Sequence, residues 1–204
     1  MTEQTTLSVG IYVFDEVEVL DFAGPFEVFS TATRMSRRLW PDRAPAFDVV
    51  LIADRPRTVL ARGGLPVVAS VGFAEPPRLD VLIVPGGDVA KELERSDVND
   101  FVASAGRAAP LTASVCTGAF LLARAGLLDG RRVTTHWEDI DELRLAYPAL
   151  HVETGAQWID TGSIVTSAGI SAGLDMSLHL VARLKSLELA ERTARQMDYA
   201  WRRR

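Results

Sequence analysis

Hydrophobic residues occur in short, nearly continuous runs separated by amphipathic segments. A strand that is apolar on both faces is typical of a parallel sheet covered on both sides by helices. The sequence therefore predicts an α/β fold with a mostly parallel central sheet and four buried strands, at Leu7–Phe14, Phe47–Ala53, Asp80–Val84 and Leu111–Val115.

Two further stretches have the pattern of β-hairpins. Short β-like runs flank Arg62-Gly63-Gly64, and others flank Thr161-Gly162. Glycine at the centre of such a pair permits the tight turn that a hairpin requires. We expect the first hairpin to be a small addition to the sheet, at its edge.

The helices are predicted from apolar residues at helical spacing. Proline is accepted in the first turn of a helix, so the first helix is expected to begin near Pro25, with Asp21 on the connection before it. A second helix should follow Cys116 and stop at Gly126. We also expect a strand ending at His136, an acidic helix up to Tyr147, and a long helix after Gly173.

Composition restricts the class of protein. The chain has 204 residues and a net charge of −5, which fits one soluble domain over residues 1–204 and disfavours non-specific nucleic-acid binding. The polar start at Met1–Thr6 does not resemble a secretory signal, and no apolar run is long enough to span a membrane. A single cysteine excludes an internal disulfide. We expect a cytoplasmic protein, with Trp201–Arg204 as a solvated tail.

Several residues with useful chemistry follow predicted strands: Asp21, Gly86 and Gly87, Cys116 and His136. Ligands of open parallel sheets bind beyond the carboxyl ends of the strands, so these residues should gather at one edge. The amides at the start of the helix after Cys116 should favour a thiolate. Taken singly, Cys116 could equally be an inert core residue, and Asp21 could be a turn residue without a function.

Histidine is the other candidate partner for a thiol. His136 ends a predicted strand and is the best placed, whereas His151 and His179 have the context of structural or solvated residues. There is no second cysteine, no H-E-x-x-H motif and no dense cluster of histidines and carboxylates. We therefore expect no metal site and no cofactor.

The sequence resembles the ThiJ/PfpI superfamily over about Leu7 to Tyr199, and most closely its isocyanide hydratase branch. That branch is indicated by Leu20-Asp21-Phe22-Ala23-Gly24-Pro25 together with Cys116-Thr117. The superfamily motifs are Val84-Pro85-Gly86-Gly87, Ser114-Val115-Cys116-Thr117-Gly118, Ala125-Gly126-Leu127-Leu128-Asp129-Gly130, Thr134-Thr135-His136-Trp137 and Thr166-Ser167-Ala168-Gly169-Ile170-Ser171-Ala172-Gly173-Leu174-Asp175.

This resemblance implies a flavodoxin-like three-layer sandwich, usually a homodimer, with Cys116 on a nucleophile elbow. In the hydratase branch, the Cys116 thiolate would attack an isocyanide to give a thioimidate, which water converts into an N-substituted formamide. Asp21 would shuttle protons, Thr117 and the Gly87 amide would hold or polarise the bound species, and Gly86 and His136 would help to bind the substrate. The activity would be that of a lyase.

Other functions of the same superfamily fit less well. Its peptidases and glyoxalases commonly carry histidine directly after the cysteine, where this sequence has Thr117. Its transcriptional regulators join the domain to a helix-turn-helix module, for which a chain ending at Arg204 has no room, so no nucleic-acid partner is expected. The alternative function is a redox or small-molecule sensor without catalysis, related to the N-terminal domain of those regulators.

Overall fold

The computed structural model describes residues 5–203. Met1–Gln4 and Arg204 lie outside the described residues. They are the outer parts of the expected domain over 1–204, of its polar start and of its expected solvated tail. Its strands are, in chain order, β1 Leu7–Tyr12, β2 Phe47–Ala53, β3 Arg57–Ala61, β4 Leu65–Ala69, β5 Val71–Gly72, β6 Val81–Val84, β7 Leu111–Val115, β8 Arg132–Val133, β9 His151–Val152, β10 Trp158–Asp160 and β11 Ile164–Ser167.

Seven of these strands form the central sheet, in the order β10-β11-β7-β6-β1-β2-β5. Only the β10–β11 pair is antiparallel, and the other neighbouring strands in the described sheet run parallel. All four residues of β6 and all five of β7 are buried. The near-continuous apolar runs therefore lie where the pattern predicted, in a parallel sheet covered on both faces.

Helices cover the two faces. One group of mutually packed helices comprises α1, α6 and α7, and the other comprises α2, α3 and α4. Together with the sheet they form a flavodoxin-like three-layer α/β sandwich, which confirms the expected fold class. The helices are α1 Val19–Leu39, α2 Ala90–Glu94, α3 Ser96–Ala108, α4 Gly118–Arg124, α5 Ile140–Ala146, α6 Ala172–Leu184 and α7 Leu187–Gln196.

The predicted start of the first helix is wrong. Helix α1 begins at Val19, so Pro25 lies inside the helix and Asp21 lies in its first turn. Proline in a helix interior removes one backbone hydrogen bond, which costs about 3 kcal/mol. Burial of Phe22, Val28 and other apolar residues of α1 offsets this cost, since α1 packs against β2, α6 and α7.

The strand predicted to end at His136 is shorter than expected. Strand β8 pairs in parallel with β9 in a separate two-stranded sheet, and a 3-10 turn at Trp137–Asp139 follows His136. Two threonines attach this segment to the central sheet instead. The Thr134 amide donates to Thr166 Oγ1 at 2.9 Å, and Thr135 Oγ1 donates to the Cys116 carbonyl at 2.8 Å.

The first hairpin forms as predicted, with β3 and β4 antiparallel and a 3-10 turn at Arg62–Gly64 between them. Its expected position at the edge of the central sheet is wrong, because the hairpin makes its own two-stranded sheet and β5 is the edge strand. The backbone of the hairpin holds the segment that leads into α1. The Glu16 amide donates to the Leu60 carbonyl at 2.8 Å, and the Arg62 amide donates to the Val17 carbonyl at 2.9 Å.

The C-terminal residues fold back onto α6, contrary to the expectation of a solvated tail. Trp201 Nε1 donates to the Asp175 carbonyl at 3.2 Å, and the Arg202 amide donates to Asp175 Oδ1 at 2.8 Å. The Asp175 side chain is buried in the first turn of α6. Within residues 5–203, none of the helices combines the length and apolar character needed to cross a membrane.

Helix α4 starts in close contact with the end of β6. A Cβ on Gly118 would lie 2.0 Å from the Val84 carbonyl oxygen, which is far inside van der Waals contact. Only glycine therefore allows β7 to pass into α4 at this position.

Replacing Gly118 with alanine is expected to lower the free energy of unfolding by about 3 kcal/mol or more, because backbone atoms would have to move. Gly24→Ala is the matched control: it is also a buried helical glycine, but its Cβ would meet a flexible Leu174 methyl at 3.2 Å. Its change should stay within about 1 kcal/mol. Urea unfolding measures both, and equal effects would contradict the proposed clash.

Candidate active site

Cys116 occupies the junction between β7 and α4, with a left-handed backbone at φ 57°. Residues other than glycine seldom adopt this conformation, since it costs roughly 1 kcal/mol or more. Contacts on both sides of the residue hold it. The Cys116 amide donates to the Ser167 carbonyl at 3.2 Å, and the Cys116 carbonyl accepts from Thr135 Oγ1. The side chain is buried, with 7 % exposure.

Asp21 is the acidic group beside this thiol. Its side chain is fully buried, and Oδ2 accepts a hydrogen bond from the Gly86 amide at 3.1 Å. Among the described residues, no hydrogen bond of normal geometry reaches Oδ1. The Cys116 side chain and the Ile170 amide nevertheless lie close enough to favour the charged carboxylate. The structure thus brings together Asp21, Gly86 and Cys116, as the sequence predicted.

Burial controls the protonation of both groups. It raises the pKa of Asp21 to about 7, although the Gly86 hydrogen bond opposes this. Burial also raises the pKa of the Cys116 thiol to about 12, and the negative charge of Asp21 adds to the effect. The Thr117 amide lowers the pKa of Cys116 as expected for a helix start, but burial outweighs it. The amide at the helix start therefore acts in the expected direction, but burial keeps the thiol protonated.

Thr117, Gly86 and Gly87 form a closed backbone corner next to the thiol. Thr117 Oγ1 accepts from the Gly87 amide at 2.9 Å and donates to the Gly87 carbonyl at 3.0 Å. A Cβ on Gly86 would lie 2.4 Å from Thr117 Oγ1, so the corner tolerates no side chain there. Because the Gly86 and Gly87 amides are both engaged internally, neither is free to polarise a substrate in this arrangement.

His136 is partly buried and lines the cleft that also includes Thr135 and Ile170. Its Nδ1 is 3.3 Å from Asp139 Oδ2, and its ring packs against Gly169, where a Cβ would lie 2.0 Å from Cδ2. The other histidines are elsewhere: His151 is exposed on β9, and His179 pairs with Asp160 at 2.8 Å.

Three residues near the thiol were not identified from the sequence. Ile170 follows β11 and has φ 49°, Thr135 binds the Cys116 carbonyl, and the charge of Asp139 contributes to the raised pKa of Cys116. Ile170 could have been found by the rule that identified the others, since it follows a strand of the central sheet. Thr135 stands in the Thr134-Thr135-His136-Trp137 motif, from which no separate role was predicted for it, and nothing in the local sequence distinguishes Asp139.

Two clefts are lined by neighbours of the buried cysteine, although Cys116 is not among the described lining residues of either. One, of about 430 Å³, is lined by residues that include His136, Trp137, Ile170 and Arg202. The other, of about 300 Å³, is lined by residues that include Gly87 and Thr117. Both have the volume typical of small-molecule sites.

Fold and site together define an α/β sandwich with one cysteine on a strained strand-to-helix junction beside a buried carboxyl group. The DJ-1/PfpI family profile matches residues 7–183. The chain therefore belongs to the DJ-1/PfpI family, which confirms the superfamily that the motifs indicated.

Curated relatives include an enzyme and regulators. An isonitrile hydratase of Pseudomonas putida is 33 % identical over 197 residues, which cover 95 % of this chain and 79 % of the relative. The HTH-type transcriptional regulator GbdR of Pseudomonas aeruginosa is 31 % identical over 94 % of this chain. The chain spans 50 % of that regulator's length.

Solved structures share the fold. A THiJ/PfpI family protein from Pseudomonas syringae superimposes with a TM-score of 0.84 at 29 % identity, covering 96 % of this chain and 76 % of that one. Drosophila melanogaster DJ-1beta gives a TM-score of 0.81 at 17 % identity, covering 97 % of this chain and 100 % of that one.

The raised pKa of Asp21 predicts how stability depends on pH. The folded protein holds this proton up to about pH 7, whereas an unfolded aspartate releases it near 3.8. Wild-type stability should therefore fall as the pH rises from about 4 to about 7. Asp21→Asn, which keeps an acceptor for Gly86, should exceed wild-type stability at pH 8 by about 1–4 kcal/mol and match it near pH 4.

Urea unfolding at a series of pH values tests this. Asp48→Asn is the matched control, because Asp48 is an exposed aspartate of β2. If Asp21→Asn and Asp48→Asn change the pH dependence of the free energy of unfolding equally, Asp21 does not cause that dependence.

Proposed function

We propose that the protein hydrates an isocyanide to an N-substituted formamide, with Cys116 as nucleophile and Asp21 as proton carrier. The observation that carries the proposal is the buried pair formed by the left-handed Cys116 and the Asp21 carboxyl group. The relative named isonitrile hydratase, similar along nearly the whole chain, supports this choice of reaction.

The reaction balances with water as the only second reactant. Cys116 Sγ forms a bond to the terminal isocyanide carbon while the thiol proton passes through Asp21 to that carbon, giving the thioimidate S–CH=N–R. Water then adds to the same carbon and the nitrogen is protonated. The C–S bond breaks, the thiol regains a proton, and the formamide R–NH–CHO leaves.

The protonation states suit this sequence of steps. The thiol is neutral at rest, so its proton has to be removed as the S–C bond forms. A carboxylate with a pKa of about 7 is well matched to accept and return that proton near neutral pH. The neutral isocyanide needs no charged clamp at its reacting carbon, which agrees with the enclosed position of Cys116.

A second candidate is a small-molecule sensor that binds a ligand without turnover. The similarity of GbdR along 94 % of the chain favours it. A redox sensor fits less well, because oxidation requires an accessible thiolate and Cys116 is a buried thiol with a raised pKa.

Formamide production from an aryl isocyanide tests the hydratase proposal. Cys116→Ser and Asp21→Asn should each lower kcat/KM by at least about 100-fold, because the first removes the thiol and the second the proton acceptor. Wild-type kcat/KM should rise with pH to a plateau above about 7, as Asp21 ionises. Product is measured by chromatography.

The exposed variant Asp48→Asn provides the control for altered charge. Formamide production by Cys116→Ser at the wild-type rate would overturn the role of the thiol. Binding of the isocyanide by wild-type protein without any formamide would favour the sensor.

A further inference from the structure

Arg202 is fixed at the rim of the larger cleft. Its amide donates to the buried Asp175 carboxylate, and the neighbouring Trp201 indole donates to the Asp175 carbonyl. This anchoring orders the backbone although the Arg202 side chain is exposed. A guanidinium held at the mouth of a cleft can bind a ligand with little loss of backbone entropy.

Residues in contact with Asp21 and Cys116 form part of the same cleft. Its wall includes Thr135, whose hydroxyl binds the Cys116 carbonyl, and Ile170, whose amide lies close to Asp21. Trp137, which is 75 % exposed, forms an aromatic surface of the wall. A flat substituent on the isocyanide could therefore lie along Trp137, with its far end near Arg202.

The charge of the cleft is unusual for this chain. The protein has a net charge of −5, yet none of the described residues that line the cleft is an aspartate or a glutamate. His136 faces Asp139 and Glu138, which lie outside the lining. Asp175 is buried and already accepts the Arg202 amide. Arg202, whose charge also acts on the buried Asp175, is therefore the one permanently charged side chain among the described residues that line the cleft.

We propose that the substrate is an isocyanide that carries a carboxylate, and that Arg202 binds this carboxylate. Arginine presents paired N–H donors that match the two oxygens of a carboxylate. The proposal rests on the hydratase function, whose chemistry is unchanged: Arg202 selects the substrate, and Cys116 and Asp21 act on its isocyanide carbon.

Two matched probes test the proposal, 4-isocyanobenzoate and its neutral methyl ester. The wild-type ratio of kcat/KM for the carboxylate to that for the ester should exceed 1, and Arg202→Gln should lower this ratio by roughly tenfold. Arg202→Lys should retain part of it, and added salt should reduce it. Arg192→Gln is the control, since Arg192 lies on α7, pairs with Glu188 and is not among the described lining residues of the cleft.

Binding of the products to Cys116→Ser separates this proposal from the hydratase function. Calorimetry shows whether 4-formamidobenzoate binds more tightly than its methyl ester and whether this preference depends on Arg202. If both hold and the wild-type protein shows no turnover, the anion preference is supported and the hydratase function is overturned. Turnover with a ratio that Arg202→Gln leaves unchanged would overturn the role of Arg202 alone. If the protein shows no turnover and no product binding, both proposals are overturned.

Discussion

The hydrogen bond from the Gly86 amide to the buried Asp21 carboxyl group is the interaction on which the site depends. Burying a carboxyl group is unfavourable unless polar partners compensate for the lost water, and here the backbone amide compensates only one oxygen. The Cys116 side chain lies close to the same carboxyl group. This arrangement connects α1 to the loop after β6, sets the raised pKa values of Asp21 and Cys116, and leaves the pair able to exchange a proton.

Backbone strain is concentrated at the same edge of the sheet. Among residues 5–203, the non-glycine residues with positive φ are Glu16, Cys116, Ile170 and Asp198. The first three follow β1, β7 and β11, all strands of the parallel sheet. Such conformations persist only where surrounding contacts enforce them, and they cluster at functional sites. The hairpin, the Thr135 hydroxyl and the Asp21 neighbourhood supply those contacts.

Much of the fold was accessible from the sequence. So was the gathering of the site residues at one edge of the sheet, but not the protonation of the thiol. Buried strands such as β6 were found because fully apolar runs have few alternatives, and the convergence of Asp21, Gly86 and Cys116 followed from parallel topology. The start of α1 was missed because tertiary packing outweighs the preference of Pro25 for a first turn. The neutral thiol was missed because burial, which no local motif records, dominates its pKa.

The hairpin has a consequence for how the protein can vary. It holds the segment before α1 through the Leu60 carbonyl and the Arg62 amide, and that segment in turn meets the loop after β6, where the Glu18 amide donates to the Gly86 carbonyl at 2.9 Å. All of these contacts are made by main-chain atoms, which every residue except proline supplies in full. Exposed hairpin side chains such as Leu60 and Val68 can therefore be substituted during evolution without displacing Asp21. The fold thereby separates a surface free to diversify from a candidate site whose geometry has to stay fixed.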